Sequence, residues 1–155
     1  MLPPRVVFIN RPTEAHGIHF ARNPRIMNTR FRLRPSMHLR RPQDFQHVYD
    51  SGERAGDGHL LVFALPNAIA ETRIGLSVSK KHGSAVRRNL KRRRLKEAFR
   101  LLQHEIPTGL DLVLIPRQRN DSTLADFQSS LVSIVVRLAR KLARRNSESS
   151  ETGAG

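Results

Sequence analysis

The chain has 155 residues, 38% hydrophobic and 5% aromatic, with 28 Lys+Arg against 13 Asp+Glu for a formal net charge of +15. Like charges repel in a compact state, so this excess points to a polyanionic partner, and to nucleic acid before membrane: a basic membrane-surface helix carries aromatic anchors, and Trp is absent. The lack of cysteine excludes disulfides, cysteine nucleophiles and thiolate metal sites, and no apolar run approaches the roughly 18 residues of a membrane-spanning helix.

Taken in chain order, residues 1–36 are interrupted by Pro3, Pro4, Pro12, Pro24 and Pro35. Arg5, Arg11, Arg22, Arg25, Arg30, Arg32 and Arg34 face only Glu14 there, which predicts a disordered basic arm. The first apolar stretch is too short for a signal peptide, and Met27 and Met37 stand as alternative starts; the chain reads as soluble and cytosolic. The body, 37–145, opens with Pro42 in the first turn of a helix to Asp50. Phe45, Val48 and Tyr49 recur there at i, i+3, i+4, and Gly52 ends it. Residues 58–65 form a β-rich run closed by Pro66-Asn67, and residues 72–79 alternate, with Ile74, Leu76 and Val78 on one face. A long helix follows from Ser84 to about residue 104. After a turn at Pro107-Thr-Gly109, residues 110–115 are a buried strand stopped by Pro116. Ser122 or Thr123 caps a last helix whose stripe is Leu124, Phe127, Leu131, Ile134, Leu138 and Leu142. Residues 146–155 are a polar tail with no core to join, expected to be disordered. The order helix, strands, helix, strand, helix predicts an α+β sandwich, helices packed on one sheet.

Residues 80–100 carry the functional signal, with ten Lys+Arg and a single acid, Glu97. At 100° per residue Leu95, Ala98, Phe99 and Leu102 bury the second half of the helix. Asn89, Arg92, Arg93, Lys96 and Arg100 gather on the opposite side, while Arg87, Arg88, Lys91 and Arg94 spread charge over nearly every other face of the first turns. A helix start so charged is expected to project into solvent or against phosphate. Like charges at i, i+4 and cations in a first turn both carry a penalty that a docked anion removes. Free N–H groups after Gly83-Ser84 are placed to receive a phosphate. An ordinary solvated face would carry mixed signs. No zinc-finger spacing, basic zipper or helix-turn-helix is present, so these contacts read phosphate and shape rather than base edges.

Ser77-Val-Ser-Lys-Lys81, Gly83-x-Ala85-Val86-x-Arg88-Asn89, Arg92-Arg93 and Ala98-Phe99-Arg100 together resemble the signature of the bacterial ribonuclease P protein family. Leu39-Arg, Asp44-Phe45, Val48-Tyr49 and Gly52 resemble its first helix, and Asp111-Leu-Val-Leu-Ile115 its last strand, so the likeness covers roughly residues 31 to 145. The resemblance implies a sheet-and-helix fold with a left-handed crossover between parallel strands. It also implies a role beside a catalytic RNA that uses Mg2+ to remove the 5′ leader of precursor tRNA. Lys80, Lys81, Arg87, Arg88, Asn89, Arg92, Arg93, Lys96 and Arg100 are the implied RNA contacts, and Phe45 and Tyr49 the implied lining of a leader cleft; plain core packing is the alternative for that pair. The sequence departs from the family pattern at Leu90, Lys91 and Arg94, which puts contacts by those three in question.

The seven histidines are scattered, and no His-Glu-x-x-His, carboxylate cluster or phosphate-gripping glycine loop occurs. Glu97 and Asp111 read as a helix-surface partner and a strand-edge residue. The chain is therefore expected to carry no catalytic residue, bind no metal itself, and have as partners the ribonuclease P RNA and precursor tRNA, without membrane or obligatory protein partner. The alternative is a non-enzymatic RNA-binding protein, ribosomal or chaperone-like.

Overall fold

The structure, a computed structural model, describes residues 32–153. The N-terminal arm expected over 1–36 therefore lies almost wholly outside the described residues. Where they begin, Leu33 already packs against the core, Pro35–Met37 form one 3-10 turn, and Arg34 and Ser36 both bind the Glu71 carboxylate.

Helix α1, Pro42–Ser51, starts on Pro42, whose fixed φ suits a first turn and whose missing N–H would have no partner there. Four strands follow the sequence order β1 (Glu53–Gly56), β2 (Leu60–Pro66), β3 (Arg73–Leu76) and β4 (Leu110–Pro116), and lie side by side as β1-β2-β4-β3. β1 pairs antiparallel with β2, and β2 with β4, while β3 runs parallel to β4 with Ile74 opposite Leu112. Parallel neighbours need a crossover, and here it is helix α2, Ala85–Leu102. Helix α3, Leu124–Gly153, closes the layer.

Strand alternation divides the sheet between two cores. Leu60, Val62 and Ala64 of β2, Ile74 of β3, and Leu110, Leu112 and Leu114 of β4 join Leu95, Ala98 and Phe99 of α2 and Phe127, Leu131, Ile134 and Leu138 of α3 in the main core. Each large side chain sealed there contributes about 1.5–3 kcal/mol of burial. Val113 on the opposite face joins Leu39 and Val48 in a smaller cluster, against which Phe45, Tyr49, Phe63, Leu65 and Ile115 are only partly covered. The helices thus sandwich the sheet, α1 on one face and α2 with α3 on the other.

Three local expectations shift. β1 has no β signature in Glu-Arg-Ala-Gly, and pairing with β2 makes it a strand. The run expected over 72–79 is a strand only to Leu76, although Ser77 N–H still reaches Leu114 O at 3.0 Å. Residues 146–153, expected to be a disordered tail, continue α3. Propagating an anchored helix avoids the cost of nucleation, and Ser147 and Ser150 hydroxyls donate back to the Ala143 and Asn146 carbonyls. Between the two caps proposed for α3, Thr123 is the one used. Its hydroxyl accepts the Asp126 N–H at 3.2 Å while the Asp126 carboxylate accepts the Thr123 N–H at 2.8 Å, a reciprocal capping pair. Ser122 is instead buried against His59 Nδ1 at 2.8 Å.

Candidate nucleic-acid interface

The α2 start is held by polar bonds to β4. Lys80–His82 make a 3-10 turn, and Gly83 follows at φ 111°, a conformation that suits glycine. His82 is buried: its Nε2 donates to the Pro116 carbonyl at 2.7 Å and its Nδ1 accepts the Ser79 N–H at 3.0 Å. Ser84 then caps α2, its hydroxyl accepting the Arg87 N–H at 3.3 Å. One of the N–H groups expected to await phosphate is thereby occupied.

The cations of α2 divide by side. Lys91 is 5% exposed, and its ammonium donates to the His82 and Arg117 carbonyls, both at 3.3 Å. Burial, and then the charge of Arg87, push it below the usual lysine range. Arg94, half-buried, donates to the Ser122 carbonyl at 2.8 Å, joining α2 to the loop before α3. The expectation that so charged a start projects wholly away from the core is therefore corrected: two of the three positions that depart from the family pattern bind the body to itself. The third, Leu90, is half-buried.

The implied RNA contacts lie elsewhere on the helix. Lys80, Lys81, Arg87, Asn89, Arg93 and Lys96 are exposed. Arg92 is half-buried, donating to Asn89 Oδ1 and to the Val78 carbonyl, each at 3.1 Å, which holds its guanidinium along the β3 side of α2. Arg88 is half-buried too, and its Nε is sealed from solvent with no hydrogen-bond partner among the described residues. Arg100 is chelated by Glu97 at 3.0 and 2.5 Å, so Glu97 is the helix-surface partner expected. Val86 stands among these charges at 78% exposure, an apolar side chain with no core to join.

Two basic side chains, His38 and Arg40, were missed by sequence reasoning. His38 forms a parallel bridge with Ile74, and Leu39 N–H bonds the Ile74 carbonyl at 2.8 Å, so this segment lies along the open edge of β3. That placement brings His38 and Arg40 near Lys96. Burial first, then Lys96 and Arg40, hold the His38 imidazole below its ordinary pKa. No periodicity links residue 38 to residue 96; only the parallel bridge does.

On the α1 face, Phe45 and Tyr49 are half-buried, in keeping with both readings of the pair. A Cβ on Gly75 would lie 2.6 Å from Phe45 Cζ, so the ring rests on bare backbone of β3 and glycine is what admits it. Tyr49 meets Phe63 edge-on, centroids 5.0 Å apart at 89°. Beyond them Arg73 grips Asp111 through two bonds of 2.8 and 2.6 Å, and Asn67 donates to the same carboxylate at 2.8 Å. Asp111 thus sits on an inner strand and is occupied by structure. Among the described residues no group of three or more His, Asp or Glu converges to hold a metal, and no helix is long and apolar enough to cross a membrane.

A small α+β body that turns one cationic helix side to solvent defines a polyanion-binding protein. The family model described as ribonuclease P matches residues 33–148, and the chain belongs to the ribonuclease P protein family. The ribonuclease P protein component of Oleidesulfovibrio alaskensis is 48% identical over 90 residues, 57% of this chain and 71% of that protein. That of Clostridioides difficile is 39% identical over 101 residues, 64% and 89% of the two chains. Among solved structures, the Staphylococcus aureus RNase P protein superposes with a TM-score of 0.59 at 33% identity, covering 66% of this chain and 94% of that one. The Thermotoga maritima protein gives 0.60 at 28% identity, covering 64% and 96%. The expected role as a protein component of ribonuclease P holds over the ribosomal or chaperone-like alternative.

Proposed function

We infer that this chain is the RNA-binding, non-catalytic subunit of a cytosolic ribonuclease P holoenzyme. Its partner RNA, using Mg2+, hydrolyses the phosphodiester bond 5′ of the mature tRNA. The chain itself supplies no reacting group. The observation carrying this reading is the exposed side of α2, where Asn89, Arg93 and Lys96 face solvent and the one acid of the helix, Glu97, is taken by Arg100. Such a surface neutralises phosphates and releases counterions whatever the base sequence. Lys80, Lys81 and Arg87 add exposed charge around the helix start, Arg92 is oriented along the β3 flank, and Arg88 is half-buried beside them.

The groove between α1 and the sheet is the seat assigned to the single-stranded leader. Half-covered aromatic rings offer stacking surface to any base, and Phe45 and Tyr49 are both partly open beside Phe63. Metal-ion hydrolysis by a protein needs converging carboxylates, and the described residues hold no such group, which supports a reading in which the RNA carries the Mg2+.

Reconstitution tests the reading. The purified chain, added to a bacterial ribonuclease P RNA, is expected to lower the Mg2+ needed to cleave precursor tRNA at the mature 5′ end. No change in that requirement, with general RNA affinity intact, would assign the chain to RNA binding without an enzyme.

A further inference from the structure

Residues 137–145 of α3 read Arg-Leu-Ala-Arg-Lys-Leu-Ala-Arg-Arg, with no carboxylate among them. Leu138, Ala139 and Leu142 are buried and fix how the helix is rolled. At 100° per residue the five cations then fall into two groups. Lys141 and Arg145 lie on the flank over β1, where both bind the Glu53 carboxylate, at 3.4 and 2.7 Å. Arg137, Arg140 and Arg144 fall within about 60° of one another on the side away from the core. All three are exposed, and none has a hydrogen bond or ion pair with another described residue. Arg137 and Arg144 are two turns, about 10 Å, apart.

Only Glu148, one turn beyond Arg144, brings a carboxylate to this row, and Arg137 and Arg140 have none within a turn. Like charges one turn apart repel. The helix dipole favours cations only in the last turn, and α3 continues to Gly153, well beyond Arg144. A lipid surface calls for aromatic or large apolar residues beside the arginines, but the exposed neighbours are Ser133, Ala143, Ser147 and Glu148. A phosphate backbone meets the requirement, because it needs only cations at a helical spacing. Since α2 and α3 cover the same sheet face, a ligand lying over the outward side of α2 has α3 beside it.

We propose that Arg137, Arg140 and Arg144 form a second RNA-phosphate contact on the outward side of α3, separate from α2, while Lys141 and Arg145 are reserved for Glu53. This rests on the reading of the chain as an RNA-binding subunit. The test measures affinity of the full chain for a bacterial ribonuclease P RNA against monovalent salt. The Arg137→Gln, Arg140→Gln, Arg144→Gln variant is compared with Arg92→Ala, Arg93→Ala and with Lys141→Gln, Arg145→Gln. Loss of three phosphate contacts is expected to flatten the log–log salt slope by about 2, with the melting temperature unchanged. The Glu53-bound pair should leave the slope as it was. An unchanged slope and affinity for the α3 triple variant, alongside a loss for the α2 variant, overturns the second contact and leaves the functional reading intact. An equal loss on replacing Lys141 and Arg145 overturns the division between the two groups. Failure of both the α2 and α3 variants to change binding overturns the RNA-binding reading and this inference together.

Discussion

On α2, Lys91 and Arg93 stand two residues apart with the same charge. Lys91 is sealed inside the body, its ammonium shared between two carbonyls of the loops that flank α2 and β4, whereas Arg93 faces solvent. Arg94 and Lys96 repeat the contrast, one bound to the Ser122 carbonyl and one exposed. A count of basic residues therefore overstates the surface available to a polyanion. Part of the charge aligns the helix, and only the remainder is left exposed.

The largest effect that would break this comparison is on folding. Lys91→Glu places an uncompensated carboxylate opposite two carbonyls and is expected to cost about 3–5 kcal/mol of stability. Arg93→Glu, on the exposed side, should stay within about 0.5 kcal/mol. Thermal or denaturant unfolding of both variants decides it, and similar losses for the two would erase the distinction between sides.

Next in size are the half-buried rings of Phe45 and Tyr49 on the far face of the sheet, which differ from α2 in chemistry as well as place. If a leader base stacks there, Tyr49→Leu should cost about 1–3 kcal/mol in affinity for precursor tRNA, with the salt slope unchanged because no charge is removed. A stability loss of the same size would make Tyr49 a packing residue that completes its edge contact with Phe63. The α2 surface should respond the other way. Arg92→Ala with Arg93→Ala is expected to flatten the salt slope of RNA binding by about 1.4, near 0.7 per single-strand phosphate contact, and to leave stacking alone. A slope that does not move would show that these guanidinium groups serve only Asn89, Val78 and water.

Much of this was legible in the sequence because it depends on local chemistry. Ser84 and the Leu95, Ala98, Phe99 stripe fix where α2 starts and which side it buries, and the apolar run of β4 marks a strand covered on both faces. What escaped reading depends on partners distant in the chain. Glu-Arg-Ala-Gly becomes β1 only because β2 offers it a ladder. Helical angle puts Lys91 in line with Leu95, Ala98 and Leu102, but the two carbonyls that receive its ammonium, one of them on the residue after β4, are distant in the chain and no spacing announces them. The site was legible as a population of cations; its division into structural and exposed members was not.

The smallest effect concerns the edge where α2 meets the segment before α1. His38 is held below its ordinary pKa by burial first and then by Lys96 and Arg40, so it gains its proton at a lower pH than a free imidazole does. The unfolded chain binds that proton more readily, so this group's contribution to stability is present above the unfolded value and declines as pH falls through the window below it. A polyanion lying across Lys96 and Arg40 offsets their repulsion and favours the protonated ring. RNA binding should then take up a proton, and affinity should rise as pH is lowered from 7 to about 5.5, by less than about fivefold given the ~1 kcal/mol ceiling of an exposed ion pair. His38→Gln should remove that rise while leaving affinity at pH 7.5 within error. Persistence of the rise in the variant would place the titrating group elsewhere and exclude the β3 edge from the cationic surface.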